Sequence, residues 1–254
     1  MAENAIFVSE MEKGFRSRKR GNIKVLKKVS FSVPAGTIYA LLGSNGAGKT
    51  TTVRILTTQI KPDGGLVTVG GHDVLEEPRA AQRMISLTGQ FSAVDDALTG
   101  KENLVIMGRL RQIPDPEKSA GKLLEYFELS DAADRPVSAY SGGMKRKLDI
   151  AMSLTGDPEL LFLDEPTVGL DPQSRRAMWE LIRKLNHRGM TVFLTTQYLD
   201  EAEELADRIG ILNKGKIIAE GTMKELREAN GNITGNATLE EIFLTMIQES
   251  EEQK

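Results

Sequence analysis

The chain of 254 residues is 40% hydrophobic and 27% charged, enough to bury a full core as one large domain or two closely joined lobes. Its net charge of −3 leaves no basic footprint for nucleic acid, and without cysteine it has neither a disulfide framework nor thiolate chemistry. No apolar run approaches the ~18 residues that span a bilayer and the N-terminus lacks a signal-peptide pattern, so the bulk properties lead us to expect a soluble cytoplasmic protein.

In chain order, residues 5–42 read as strand material: Ala5 to Val8, Val25 to Val33 and Ile38 to Leu42, with a turn at Pro34-Ala35-Gly36. The basic run Arg16-Ser17-Arg18-Lys19-Arg20, bracketed by Gly14 and Gly21-Asn22, reads as a solvated hairpin loop. Directly after Leu42 comes Gly43-Ser44-Asn45-Gly46-Ala47-Gly48-Lys49-Thr50-Thr51, which matches the phosphate-binding pattern G-x-x-x-x-G-K-[ST]. The glycines let backbone N–H groups turn inward and approach phosphate oxygens without a Cβ in the way. The helix that follows points its positive end at the same anion. Lys49 would reach the β- and γ-phosphates and the Thr50 hydroxyl would ligate Mg²⁺. By itself this loop says only that a nucleotide is bound.

A further strand is expected over residues 66–75, ending at a tight turn. Thr99 and Glu102 form a capping box ahead of Leu104, Ile106 and Leu110. A second helix follows Pro116, with Leu123, Leu124 and Phe127 on one face, and a third runs from about Met144 to Leu154. The short apolar run Leu160 to Leu163 then suits a strand buried on both faces, as does Thr191 to Leu194, with helical residues 173–187 between them. Asn213-Lys214-Gly215 is a hairpin signal between Arg208 to Leu212 and Lys216 to Ala219. A closing amphipathic helix is expected from Thr238, and the acidic tail Glu249 to Lys254 is expected to fray. His72 and His187 read as surface residues and Trp179 as packing.

The apolar strand at 160–163 ends in Asp164-Glu165. An aspartate at the carboxyl end of a parallel strand beside a phosphate loop is placed to hold a Mg²⁺ shell, and Glu165 to polarise an attacking water as general base. Ser141-Gly142-Gly143 opens a helix with a hydroxyl and bare N–H groups, which is either an ordinary cap or a second anion site. One nucleotide does not need two such sites from one chain, so the second reading points to a nucleotide held by another copy.

The order of phosphate loop, Gln90, Ser141-Gly142-Gly143, Asp164-Glu165 and Gly169-Leu170-Asp171-Pro172 resembles the nucleotide-binding domain of ATP-binding cassette (ABC) transporters over essentially the whole chain. The resemblance implies an α/β fold: a P-loop NTPase core of mixed or parallel sheet that together with an N-terminal antiparallel β subdomain spans about 1–90 and 157–254, and an inserted helical subdomain at about 91–156. It implies ATP and Mg²⁺ as ligands, with metal contacts from Thr50, Gln90 and Asp164. Two cassettes would pair head to tail, each ATP lying between one phosphate loop and the other copy's Ser141-Gly142-Gly143. A separate transmembrane permease would be the second partner, placing the chain on the cytoplasmic face of the cell membrane. Gln90 resembles the glutamine that hinges the lobes, Asp171 the aspartate that communicates between sites, and Phe15 the aromatic that stacks on adenine, where the family usually has tyrosine.

Two positions depart from the common pattern. Met144 stands where the signature usually has glutamine, and Gln197 where histidine usually contacts the γ-phosphate. Glutamine carries no proton charge but donates and accepts hydrogen bonds, and GTPases orient water with one. Both departures, together with Tyr198-Leu199-Asp200-Glu201-Ala202 and Leu239-Glu240-Glu241-Ile242-Phe243-Leu244, resemble the ATP-binding subunits of daunorubicin-type drug exporters. The implied activity is ATP hydrolysis, with Glu165, Gln197 and Lys49 as catalytic residues, powering export of a drug-like or lipid-like substrate. A soluble ABC ATPase acting on ribosomes or DNA, and the motor of an importer, are the alternatives; the transported molecule is not written in this chain.

Overall fold

A computed structural model describes residues 4–17, 21–89, 93–229 and 237–252. Strands β1 (Asn4–Ser17) and β2 (Gly21–Pro34) form a long hairpin, and β3 (Ile38–Leu42) leads through the glycine loop into α1 (Lys49–Leu56). β4 (Gly64–Val69), β5 (His72–Asp73), α2 (Pro78–Met84) and β6 (Ile85–Thr88) follow. Three helices come next: α3 (Gly100–Leu110), α4 (Pro116–Tyr126) and α5 (Gly142–Ser153). β7 (Leu160–Asp164), α6 (Pro172–Asn186), β8 (Thr191–Thr196) and α7 (Leu199–Leu205) then alternate. The chain closes with the hairpin β9 (Arg208–Asn213) and β10 (Lys216–Gly221), α8 (Met223–Ala229) and α9 (Leu239–Glu252).

The strands make an antiparallel sheet ordered β2-β1-β4-β5 and a second sheet ordered β10-β9-β3-β8-β7-β6, parallel except for its terminal β9–β10 pair. Every residue of β3, β7 and β8 is buried. The reason lies in the alternation of side chains across a sheet. Ile38, Ala40, Leu42, Leu161, Leu163, Val192 and Leu194 join a core with the helices, while Tyr39, Leu41, Leu160, Phe162 and Phe193 join one with the antiparallel sheet. A strand covered on both faces has no polar side to alternate with, hence the continuous apolar runs. Between the sheets, Tyr39 stacks on Phe31 at 5.4 Å and on Phe193 at 5.5 Å between ring centroids.

Three sequence expectations need correction. Arg16 and Ser17 pair with Asn22 and Gly21, so the start of the basic run is strand rather than loop; residues 18–20 lie outside the described ones. Register shifts along β1, among them one between Val8 and Met11, break the period-two pattern and conceal its length. Within the acidic tail, α9 continues through Glu249 to Glu252, with Asn213 Nδ2 donating to Ser250 Oγ at 3.1 Å, while residues 253–254 lie outside the described ones. The strand expected over 66–75 ends at Val69, where Gly70 and Gly71 take left-handed φ values of 57° and 80° and turn the chain into β5. No helix among the described residues is long and apolar enough to cross a membrane.

Candidate nucleotide-binding site

Sheet register brings the candidate residues together. Leu42 lies opposite Thr196 and Asp164 opposite Thr195, so β3, β8 and β7 end at one level. Ligands of open α/β sheets bind at such carboxyl ends. The Gly43 N–H donates to the Thr196 carbonyl at 3.2 Å, tying the glycine loop to the turn that carries Gln197. The Glu165 N–H donates to the Thr195 carbonyl at 3.1 Å, and the Thr195 hydroxyl donates to Asp164 Oδ1. Asp164 itself is buried.

The loop is a cradle only glycine permits at its ends. A Cβ on Gly43 would lie 2.4 Å from the Leu212 carbonyl oxygen, and one on Gly48 2.7 Å from Leu26 Cδ2. Gly48 also has φ 117°, which a side chain rarely adopts. Among the described residues, Gly43 and Ala47 are the positions between 43 and 50 whose backbone N–H has a partner, the latter donating to Ser44 O at 3.1 Å. The remaining N–H groups are available to an anion. Ser44, Asn45, Gly46 and Thr50 are exposed, Thr51 is half-buried, and Ala47 and Lys49 are buried. Lys49 Nζ donates to Gly43 O at 2.8 Å and Ser44 O at 3.3 Å and lies 3.2 Å from Glu165 Oε1. Glu165 holds a left-handed φ of 52°, a conformation costing a non-glycine residue about 1–3 kcal/mol and typical of functional sites.

Other predicted residues have clear positions. Ser141 is the N-cap of α5, its hydroxyl accepting from the Met144 N–H at 3.2 Å, with Gly142 and Gly143 as the first helical residues. Asp171 caps α6: Oδ1 accepts from the Gln173 and Ser174 N–H groups at 3.0 Å each, and Oδ2 from the Ser174 hydroxyl at 2.6 Å. These donors, the Ser174 hydroxyl foremost, hold its carboxyl below the ordinary range. A Cβ on Gly143 would sit 2.9 Å from Ser174 Oγ, so the two caps pack against each other. Phe15, 40% exposed, lines a cavity of about 410 Å³ with Lys13, Gly14, Asn22 and Leu26. Because Leu26 also packs beneath Gly48, that cavity adjoins the glycine loop. Gln197 is half-buried between β8 and α7. Gln90 lies outside the described residues.

The donor set fits a nucleotide with magnesium. Bare N–H groups and Lys49 suit phosphates; one exposed threonine hydroxyl and one carboxylate suit a metal that keeps waters and phosphate oxygens as its other ligands. Among the described residues no cluster of three or more acidic or histidine side chains could hold a metal alone.

Two buried polar groups beside this site escaped the sequence reading. Arg146 and Asp149 on α5 form an ion pair at 3.3 Å, and Glu201 on α7 is fully buried, accepting from the Thr167 hydroxyl at 2.8 Å and from Trp179 Nε1 at 3.1 Å. Trp179 is therefore a donor as well as a packing group. An aspartate beside Leu148, Ile150 and Ala151 on the apolar face of α5 was the available local signal for the first pair. Burial pushes the Glu201 carboxyl above its ordinary range. A carboxyl raised in the folded state stabilises most below its unfolded value and loses that contribution as pH rises through the folded one. Glu201→Gln keeps the acceptor and removes the charge. It should raise the unfolding midpoint by about 2–5 °C at pH 8 and leave it unchanged at pH 4, as read by paired thermal melts.

Residues 26–168 match the family described as ABC transporter. The chain is 53% identical over 206 residues to the daunorubicin/doxorubicin resistance ATP-binding protein DrrA of Streptomyces peucetius, covering 80% of this chain and 62% of that protein. It is 47% identical to the daunorubicin resistance ATP-binding protein DrrA3 of Streptomyces coeruleorubidus, over 91% of this chain and 72% of the relative. It is 50% identical to the doxorubicin resistance ATP-binding protein DrrA of Mycobacterium tuberculosis, over 84% and 65%. The match thus spans 62–72% of the length of these relatives. Among solved structures, an ATP-binding subunit of an ABC transporter superposes with a TM-score of 0.82 at 27% identity, covering 96% of this chain and 99% of the other. The ADP conformation of MJ1267, an ATP-binding cassette of an ABC transporter, does so with a TM-score of 0.79 at 25% identity over 96% and 99%. A glycine cradle, a strand-end Asp164-Glu165 and a Ser141-capped helix in one sequence that matches across 26–168 place the chain in the ABC transporter family, as an ATP-binding cassette.

Proposed function

We propose that this chain binds and hydrolyses ATP as the motor of an exporter for drug-like or lipid-like molecules. The observation that carries the hydrolytic reading is the approach of Lys49 Nζ to Glu165 Oε1, 3.2 Å across the ends of β3 and β7. Lys49 would exchange this carboxylate and the loop carbonyls for the β- and γ-phosphates of the nucleotide, with the N–H groups of residues 44–46 and 48–50 around them. Glu165, released from that pair, would take the proton of the attacking water while Gln197 orients the water by hydrogen bonding. The bond from the γ-phosphorus to the leaving oxygen breaks, giving ADP and phosphate. Thr50, Asp164 and Gln90 would hold Mg²⁺, which when bound offsets negative charge on the phosphates. Phe15 would offer its ring face to adenine.

The cap at Ser141 belongs, in this reading, to a second copy's nucleotide, and the packing of Gly143 on Ser174 supports Asp171 as the link between the two sites. Residues 91–156 would move as a helical subdomain against the remainder, with Gln90 at the hinge. A separate permease subunit would supply the membrane path, with this chain peripheral on its cytoplasmic face. The identity of 47–53% to daunorubicin and doxorubicin resistance proteins favours export over import.

Phosphate release by the purified protein with magnesium and ATP tests the reading. Gln197→Ala should lower turnover by about 10- to 100-fold with little change in ATP affinity, since only the water's orientation is lost. Unchanged turnover in that variant would remove Gln197 from the mechanism, and a wild type without turnover would overturn the proposal.

A further inference from the structure

The Arg146 side chain, 11% exposed, places its guanidinium between three parts of the fold. It projects from α5, the helix that Ser141 caps. Its Nε donates to Pro166 O at 3.1 Å and its Nη2 to Asp164 O at 3.5 Å, so it holds the carbonyls of the residues before and after Glu165. Its Nη1 donates to Gly89 O at 2.8 Å and pairs with Asp149 Oδ2 at 3.3 Å. The other Asp149 oxygen accepts from the Ala93 N–H at 3.1 Å. Arg146 and Asp149 together thus hold the backbone immediately before and after residues 90–92, while Arg146 also holds the backbone around Glu165.

Burying a guanidinium is costly unless it is paired and its donors are used. Here one carboxylate pairs it and backbone carbonyls from two other segments take its N–H groups, a demand that only a planar fork meets. The Glu165 backbone needs such restraint. Its φ of 52° is a conformation that persists only where the surroundings over-determine it. Thr195 restrains its N–H from the β8 side, and Arg146 restrains the carbonyls on either side of it from α5.

We propose that Arg146, held by Asp149, is a positioning residue for hydrolysis: it fixes Glu165 in register with the Ser141 helix and with the backbone flanking residues 90–92. This rests on the hydrolytic reading given above. Arg146 touches neither phosphate nor water in this role, so its contribution falls on turnover and not on nucleotide affinity. It also makes the helix that would meet another copy's nucleotide mechanically continuous with the general base of its own site.

Arg146→Lys keeps the charge and most of the stem but replaces the fork with a single ammonium, which cannot reach the carbonyls of residues 89, 164 and 166 at once. Steady-state kcat should fall about 10- to 100-fold, ATP affinity of the full chain should stay within about twofold, and the unfolding midpoint should move by no more than about 3 °C. A kcat within about twofold of wild type would overturn the proposal, as would parallel losses in kcat, affinity and midpoint, the signature of a merely structural pair. If Arg146→Lys unfolds, Asp149→Asn replaces it: it keeps an acceptor for Ala93 but not the charge that aims the guanidinium. The same split between kcat and affinity is then expected at smaller amplitude, and full kcat would refute the proposal. A wild type lacking any turnover that Glu165→Gln abolishes would remove the hydrolytic reading, and this one with it; an active wild type with an indifferent Arg146→Lys removes this one alone.

Discussion

Glu165→Gln is expected to cut steady-state ATP turnover by about 10²- to 10⁴-fold while leaving ATP binding intact. The substitution preserves volume and one acceptor oxygen but cannot accept the proton that leaves the attacking water. Its backbone restraints are independent of the side chain: the N–H donates to Thr195 O at 3.1 Å and to Thr195 Oγ1 at 3.2 Å. The variant should therefore fold and hold the loop geometry. Losing the negative charge also relieves Lys49 of its 3.2 Å partner, leaving the ammonium free for phosphate, so ATP affinity should hold or rise. If a second copy's Ser141 helix completes the site, the uncleaved nucleotide should also lock two chains together. Light scattering with ATP would then give twice the monomer mass for Glu165→Gln and a monomer without nucleotide. A monomer under both conditions would count against the head-to-tail arrangement, and full turnover against Glu165 as the base.

Much of this site was legible in the sequence because its parts are local. The glycine loop, the apolar strands at 160–163 and 191–194, and the Thr99–Glu102 capping box each carry their geometry within a few residues, and all appear where the pattern puts them. Helix α6 likewise follows from Met178, Leu181, Ile182 and Leu185, which are buried at helical spacing. What escaped depends on tertiary neighbours or on short length. β6 has only four residues and lies at a sheet edge, while α2, α7 and α8 have seven each, too few for periodicity to stand out. Glu201 and Arg146 look like solvated charges in sequence, and nothing local shows that Trp179, Thr167 or the carbonyls around Glu165 will enclose them. The pairing of Asp164 with Thr195 is a matter of sheet register, which joins residues 31 positions apart through hydrogen bonds that no motif encodes.

The opposite member of the Lys49–Glu165 pair should fail in the opposite way. Lys49→Ala is expected to weaken ATP binding by about 10- to 100-fold, the cost of one or two lost hydrogen bonds to a charged group, before any effect on turnover is counted. The loop would not simply lose a contact. Lys49 Nζ donates to Gly43 O at 2.8 Å and Ser44 O at 3.3 Å, so its removal takes that donor from Gly43 O, leaves Ser44 O with the Ala47 N–H alone, and leaves Glu165 without this counter-charge. Those groups would then face the phosphates with negative ends, converting a site that attracts an anion into one that repels it. Lys49→Arg keeps the charge, but its larger planar head must fit where the lysine side chain is only 5% exposed, so it should recover only part of the affinity. Fluorescent-nucleotide titration of both variants beside Glu165→Gln separates the two roles: affinity lost with Lys49, turnover lost with Glu165. Equal losses of affinity in both would mean that the pair serves the fold of the loop alone, and that charge at Lys49 does not select the ligand.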